Sequence, residues 1–145
     1  MAASFYSQQI AGTIGLFIVV LIISYFCLMN ITEGFKKEDP KLLHLKSYIA
    51  QVRPDMIDRI VLLEDTKSYT INKKKIYMCL RDENGDYYHD NMLLFVVLHE
   101  LAHVLCDEIG HTNKFQQIFQ VLLDDAVKLG IYDPEIEPVQ NYCEY

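Results

Sequence analysis

The chain has 145 residues, 51% of them hydrophobic, and a formal net charge of −7 at pH 7. This length leaves room for one small domain and excludes a multidomain enzyme. Residues 30–81 carry eleven Lys/Arg and seven Asp/Glu, whereas residues 82–145 carry two and thirteen. An acidic C-terminal half excludes a broad phosphate-binding surface there, so we expect no direct nucleic-acid partner.

The first predicted element is a membrane segment. Residues 10–29 contain no charged side chain and are dense in Ile, Val, Leu and Phe. At about 1.5 Å per residue, a helix of this length covers the roughly 30 Å of a hydrocarbon layer. A cleaved signal peptide would show a basic start, a shorter apolar core and a small-residue exit, and none is evident. The sequence therefore predicts a short N-terminal segment, 1–9, and an uncleaved transmembrane helix over 10–29.

Basic residues follow this segment and none precedes it. Four lysines lie just after it: Lys36, Lys37, Lys41 and Lys46. The positive-inside rule then predicts a single-pass membrane protein with the domain after the segment on the cytosolic side. The chain also has four cysteines: Cys27, Cys79, Cys106 and Cys143. In a reducing compartment we expect all four to be free thiols, with Cys106 buried as a small hydrophobe rather than bound to metal.

A polar linker, 30–38, leads into the predicted domain, 39–145. Asp39 followed by Pro40 is typical of a helix start, and Pro54 ends that helix. Residues 60–63 predict a buried strand. Residues 69–71 and 76–80 predict a hairpin whose turn contains three lysines, which we interpret as a solvated tip.

Two further helices complete the predicted domain. Asp90 is the expected N-cap of the first, which continues into the apolar run 92–98. The second is predicted over 113–129, and Gly130 ends it. Its expected buried residues are Phe115, Ile118, Phe119, Val121, Leu122, Ala126 and Leu129. The prolines at positions 134 and 138 predict an irregular tail.

The candidate chemistry lies in the first of these helices. Residues 99–103 read His-Glu-Leu-Ala-His, an H-E-x-x-H pattern. On a helix His99 and His103 project from one face, one turn apart, so both imidazoles can reach one metal ion. Glu100 beside them can hold the metal-bound water. The alternative is a core helix whose histidines are satisfied by hydrogen bonds, but two histidines and a glutamate among apolar neighbours are costly unless paired.

A catalytic zinc site takes three protein ligands and leaves its fourth position to water. His111 is our first choice for the third ligand, because Gly110 before it can adopt the positive φ that turns a chain back after a helix. The alternatives are carboxylates: Asp107, Glu108, Asp124 and Asp125.

Residues 99–103 and 110–115 together resemble the H-E-L-A-H…G-H-x-x-x-F signature of the WLM and SprT-like (Spartan-type) zinc metallopeptidases. The resemblance covers about residues 60–130. It implies a small zincin-like α+β domain with a short antiparallel sheet, an active-site helix and flanking helices. It further implies that residues 76–80 form one wall of a groove for an extended polypeptide.

By this resemblance the Zn²⁺ ligands are His99, His103 and His111, and Glu100 is the general base. The sequence therefore predicts a membrane-anchored zinc metallopeptidase that hydrolyses peptide bonds with a metal-activated water. Three tyrosines are candidates for stabilising the oxyanion: Tyr77, Tyr87 and Tyr88. The rival hypothesis is a membrane-anchored structural or docking protein that retains zinc. A purely structural site is closed by four protein ligands and has no use for Glu100, which favours the enzyme.

Overall fold

The computed structural model describes residues 15–25 and 38–144. Its internal contacts divide the chain into two units, Met1–Lys37 and Glu38–Tyr145. In the first unit, residues 15–25 form a helix, α1, whose side chains are exposed. The second unit contains the remaining elements and is described by itself below.

The predicted transmembrane helix over 10–29 is wrong. Within residues 15–25 and 38–144, no helix is both long enough and apolar enough to cross a membrane. The eleven described residues of α1 extend about 16 Å, roughly half of a hydrocarbon layer. Residues 10–14 and 26–29 lie outside the described part of the chain. The predicted single-pass location and its cytosolic orientation depended on that span and are corrected with it.

The second unit contains a mixed three-stranded sheet. Strand β1 (Val61–Glu64) runs parallel to β3 (Lys75–Met78), and β2 (Tyr69–Ile71) runs antiparallel to β3. The strand order β1-β3-β2 places β3 in the centre. The α+β architecture and the β2–β3 hairpin agree with the prediction, but the sheet is not wholly antiparallel. Strand β3 has partners on both sides, so the predicted groove wall, 76–80, is wrong, and the edges of the sheet are β1 and β2.

The hairpin turn explains why β3 runs antiparallel to β2. Asn72 and Lys73 have φ angles of 52° and 50°, as in the type I′ turns that match the twist of paired strands. The Lys74 N–H donates to the Ile71 carbonyl at 3.1 Å and closes the turn. The three lysines of the turn are exposed, as predicted, and the Lys73 ammonium also donates to the carbonyl of Cys106. This contact attaches the hairpin to the segment that carries the candidate site.

Helix α2 (Pro40–Val52) begins as predicted: the Asp39 carboxylate accepts from the Lys41 N–H at 2.7 Å. A single 3₁₀ turn, Pro54–Met56, follows it. Helix α2 packs on the core through four buried residues: Leu42, Leu45, Ile49 and Val52.

Helix α3 (Asp90–Leu105) is the centre of the core. Its N-cap is His89, whose Nδ1 accepts from the Asn91 N–H at 3.1 Å. Asp90, the predicted cap, instead forms an ion pair with Lys41 at 2.7 Å. Ten of its sixteen residues are buried, because α2, α4 and the sheet all pack against it.

Helix α4 (Asn113–Lys128) is amphipathic. Its buried residues recur at spacings of three and four: Phe115, Phe119, Leu122 and Ala126. Val121 and Leu129 were also predicted to be buried, but they are 57% and 48% exposed. Val121 lies two positions from Phe119, a rotation of about 200° at 3.6 residues per turn, and therefore points away from the core.

The tail after α4 returns to the sheet and is held there covalently. Cys143 forms a disulfide with Cys79, which directly follows β3. The prediction that these two cysteines are free thiols is therefore wrong, because their separation of 64 residues gives no local signal of proximity. Cys106 is free and buried, as predicted. Cys27 lies outside the described residues.

Candidate metal centre

The three predicted histidine ligands come together at one end of α3. The Nε2 atom of His111 lies 3.0 Å from that of His99 and 3.2 Å from that of His103. All three ligand atoms lie within 4.8 Å of one another. Tetrahedral zinc with Zn–N bonds of 2.0–2.1 Å places its nitrogens about 3.3 Å apart. The spacing of the imidazoles therefore fits one zinc ion.

Local backbone geometry brings His111 to this position. Helix α3 ends at Leu105, and the connecting segment leads to Gly110, which has a φ of +84°. This left-handed conformation is favourable for glycine and costly for other residues. Thr112 then caps α4 by accepting from the Phe115 N–H at 3.3 Å. His111 thus lies between a left-handed turn and a capped helix.

The ring of Phe115 packs against all three imidazoles. Its side chain is completely buried, and its ring centroid lies 4.3 Å from that of His103, 4.9 Å from that of His111 and 5.0 Å from that of His99. Phe119 also contacts the His99 ring, at 5.2 Å. These aromatic contacts restrict the rotamers of the histidines. The phenylalanine of the G-H-x-x-x-F signature therefore has a direct structural role.

Glu100 is buried beside the histidines and is held by the sheet. Its side chain is 6% exposed, and the Thr70 hydroxyl on β2 lies within hydrogen-bonding distance of its Oε2, at 2.9 Å. The same hydroxyl lies 3.1 Å from the Glu100 carbonyl. Burial raises the pKa of Glu100, and the hydrogen bond from Thr70 opposes that rise. Thr70 was not identified from the sequence, because no local pattern connects a short strand to a helix thirty residues later.

The electrostatic environment favours neutral imidazoles, the form that binds metals. Burial, together with the neighbouring His103 and His111, lowers the pKa of His99 to about 4. Burial also lowers the pKa of His103, assisted by His111 and Lys73.

The other ligand candidates are engaged elsewhere. Asp107 pairs with Lys114 at 2.6 Å, and Asp125 with Lys128 at 2.8 Å. Asp124 accepts from the side-chain amide of Gln120 at 2.8 Å. Glu108 is exposed and lines the cleft that is described in the next paragraph. Among the described residues, the potential metal-binding cluster consists of the three histidines, without a carboxylate or Cys106.

The histidines and Glu100 open into a cleft of about 640 Å³. Its walls are the edge strand β2, the hairpin turn and the segment between α3 and α4. These residues line it: Ser68, Tyr69, Thr70, Asn72, Lys73, His99, Glu100, His103, Glu108, Ile109, Gly110 and His111.

None of the three tyrosines considered for the oxyanion is among the residues that line this cleft. Tyr77 stacks on Tyr69 with centroids 4.6 Å apart. Tyr87 donates to Asp39 at 2.8 Å. The Tyr88 hydroxyl accepts from the Cys143 N–H at 3.2 Å. The sequence did not reveal which face of its strand or loop each of these tyrosine side chains would occupy.

Comparison with known proteins identified three viral relatives. The chain is 55% identical over 92 residues to an uncharacterized protein of Invertebrate iridescent virus 6, covering 61% of this chain and 52% of that protein. It is 52% identical over 90 residues to an uncharacterized protein of Invertebrate iridescent virus 3, covering 61% and 57%. It is 36% identical over 126 residues to an uncharacterized protein of Acanthamoeba polyphaga mimivirus, covering 79% and 63%.

The chain thus spans between about half and two thirds of the length of these relatives. No protein-family model matches the chain. No solved structure matches it either.

Proposed function

We propose that this protein is a zinc-dependent peptidase that uses Glu100 as its general base. The observation that supports this most is the convergence of three imidazole nitrogens at zinc-compatible spacing beside a buried carboxylate that lines the same cleft. Three ligands leave one coordination position for water, which is the arrangement of catalytic rather than structural zinc sites.

Each residue of the site has a distinct role in the proposed hydrolysis. A bound zinc ion would supply a water of lowered pKa and polarise the scissile carbonyl. The Glu100 carboxylate accepts the proton of the attacking water and returns it to the leaving amine nitrogen. Thr70 fixes that carboxylate through its hydroxyl. Phe115 keeps the imidazoles oriented.

The cleft offers a mode of binding for an extended polypeptide. Strand β2 is an edge strand, and its residues Tyr69 and Thr70 line the cleft beside Glu100. An edge strand presents unpaired N–H and C=O groups with which a peptide can form a further strand. A peptide paired with β2 would pass next to the histidines. This replaces the groove wall that the sequence had suggested on β3.

Metal content and cleavage test the proposal together. The full-length chain, purified without chelators, is expected to contain one zinc per molecule and to cleave an unfolded protein such as casein. His111→Ala should lose most of the zinc, whereas His44→Ala, on the exposed surface of α2, should retain it. Zinc content unchanged by His111→Ala would contradict the three-histidine site.

The general base is tested by an isosteric change. Glu100→Gln should keep zinc and fold but lower the cleavage rate by about 10²–10⁴, the usual contribution of a positioned base. Glu83→Gln, at an exposed glutamate outside the cleft, provides the matched control. Zinc in both proteins with cleavage by neither the wild type nor Glu100→Gln would instead support the rival hypothesis, a structural protein that retains zinc.

A further inference from the structure

A second cavity, of about 450 Å³, lies beside the metal centre between α3 and the C-terminal tail. Ser68, His99 and Glu100 line both this cavity and the cleft. The two spaces therefore meet at the candidate general base. A polypeptide held with its scissile bond at Glu100 has one neighbouring side chain within reach of the second cavity.

The lining of this cavity is chiefly apolar. The wall on α3 is formed by Met92, Phe95 and Val96, which lie three to seven residues, or about one to two helical turns, before His99. The opposite wall is the tail, with these residues: Pro138, Val139 and Tyr142. The exposed charged residues Lys67 and Glu144 also line it. The volume lies within the roughly 300–1,000 Å³ of ligand pockets.

The tail wall is held in place by contacts on both of its sides. The Val139 N–H donates to the Met92 sulfur at 3.3 Å. Tyr142 donates to the Cys79 carbonyl, and its hydroxyl lies 3.1 Å from that of Ser68. Ser68 in turn accepts from the Cys79 N–H at 2.9 Å. Together with the disulfide, this closed set of hydrogen bonds fixes the tail to the end of β3.

We propose that this cavity is the subsite that selects the substrate, and that it takes one bulky apolar side chain, such as Phe, Leu or Met, next to the scissile bond. This inference rests on the proposed peptidase function and adds to it the class of substrate. Val139 is the residue that determines specificity, because it lines the cavity and is 49% exposed. A charged side chain at position 139 would face the apolar side chain of the substrate. Because Val139 is half-exposed, this substitution would leave the buried core unchanged.

The first test is a cleavage profile. The full-length, zinc-loaded chain is incubated with a peptide library, and the cleaved bonds are identified by mass spectrometry. Bulky apolar residues should be enriched at one position beside the scissile bond. Val139→Asp should lower kcat/KM for such peptides about tenfold or more relative to peptides with Ala at that position. Val121→Asp, at a comparably exposed valine on α4, should leave the preference intact.

The second test separates the subsite from the chemistry. Zinc-loaded Glu100→Gln is titrated with two fluorescein-labelled octapeptides that differ only in having Phe or Ala at the selected position, and anisotropy reports binding. The Phe peptide should bind about tenfold more tightly, and addition of Val139→Asp should remove the difference. If the wild type cleaves neither peptide but this discrimination is present, the subsite stands and the proposed hydrolysis fails.

Two results would overturn the subsite. One is equal affinity for the two peptides, including no detectable binding of either. The other is a Val139→Asp variant that weakens the Phe and Ala peptides by the same factor, because a general disturbance of the tail would act in that way.

Discussion

The candidate metal centre and the C-terminal tail meet at the smaller cavity, which His99 lines together with Val139 and Tyr142, yet they reach that position by different routes. The histidines lie within residues 99–111, and helix periodicity plus one left-handed turn brings their nitrogens together. The tail arrives after two helices and is joined to β3 across 64 residues. The first region is therefore organised by local geometry and the second by long-range closure. They should respond differently to the loss of a metal, a disulfide or a single side chain.

The largest expected effect concerns the support under the histidines. Phe115→Ala should lower the free energy of unfolding by about 3–5 kcal/mol, because it leaves a cavity in the core. It should also weaken zinc binding, because the imidazoles lose the ring that orients them. Denaturant unfolding and zinc competition with a chromogenic chelator measure the two effects.

Leu122→Ala is the control for this comparison, because Leu122 is equally part of the buried face of α4. It should cost a comparable free energy of unfolding and leave zinc affinity unchanged below the unfolding transition. Equal zinc affinity in the two variants would show that Phe115 only fills the core.

Removal of the disulfide should affect the tail region with little effect on the metal. Cys143→Ser opens a loop of 64 residues and should lower the free energy of unfolding by about 2–4 kcal/mol, mainly by releasing the unfolded chain. Zinc content should stay at the wild-type value, since no histidine depends on the tail for its position. Chemical denaturation beside metal analysis checks both expectations.

A phosphine reductant gives the matched control. It should destabilise the wild type and leave Cys143→Ser unchanged. Simultaneous loss of zinc on reduction would contradict the separation of the two regions.

An intermediate effect is expected at the contact between the sheet and the candidate base. Thr70→Val removes the hydroxyl that lies 2.9 Å from Glu100 Oε2 and should cost about 1–3 kcal/mol of stability, because a buried carboxylate loses a partner. Cleavage should fall as well, and Thr70→Ser should restore both. A Thr70→Val variant with wild-type stability and rate would remove Thr70 from its positioning role.

The smallest expected effect is at the turn before His111. Gly110 and Gly130 both have positive φ, at 84° and 70°, and an added Cβ would meet no atom within 4 Å at either position. Alanine at either should therefore cost about 1 kcal/mol from backbone strain alone. We expect Gly110→Ala also to weaken zinc binding severalfold, because the strain acts on His111. Equal zinc affinity in Gly110→Ala and Gly130→Ala would show that backbone strain at position 110 does not affect metal binding by His111.

Local patterns predicted much of the domain. The N-cap at Asp39, the hairpin, the two long helices and the burial of Cys106 agree with the structure, because each depends on neighbouring residues. The parallel pairing of β1 with β3 was not predictable, since it joins strands that are not consecutive. The exposed positions of Val121 and Leu129 show a related limit. Their hydrophobicity suggested burial, but α4 packs against α3 through its other face, so these two side chains are exposed.

The amino-acid sequence by itself determined the candidate ligand set, three histidines whose nitrogens lie within 4.8 Å of one another, because His99 and His103 are related by one helical turn and Gly110 permits the chain to reverse before His111. Only the tertiary structure decided what surrounds that set. Thr70, the edge of β2 and the tail approach Glu100 through long-range packing, and the Cys79–Cys143 pair forms only because the chain returns. Such contacts depend on how several elements fill one core, a property that no short stretch of sequence contains.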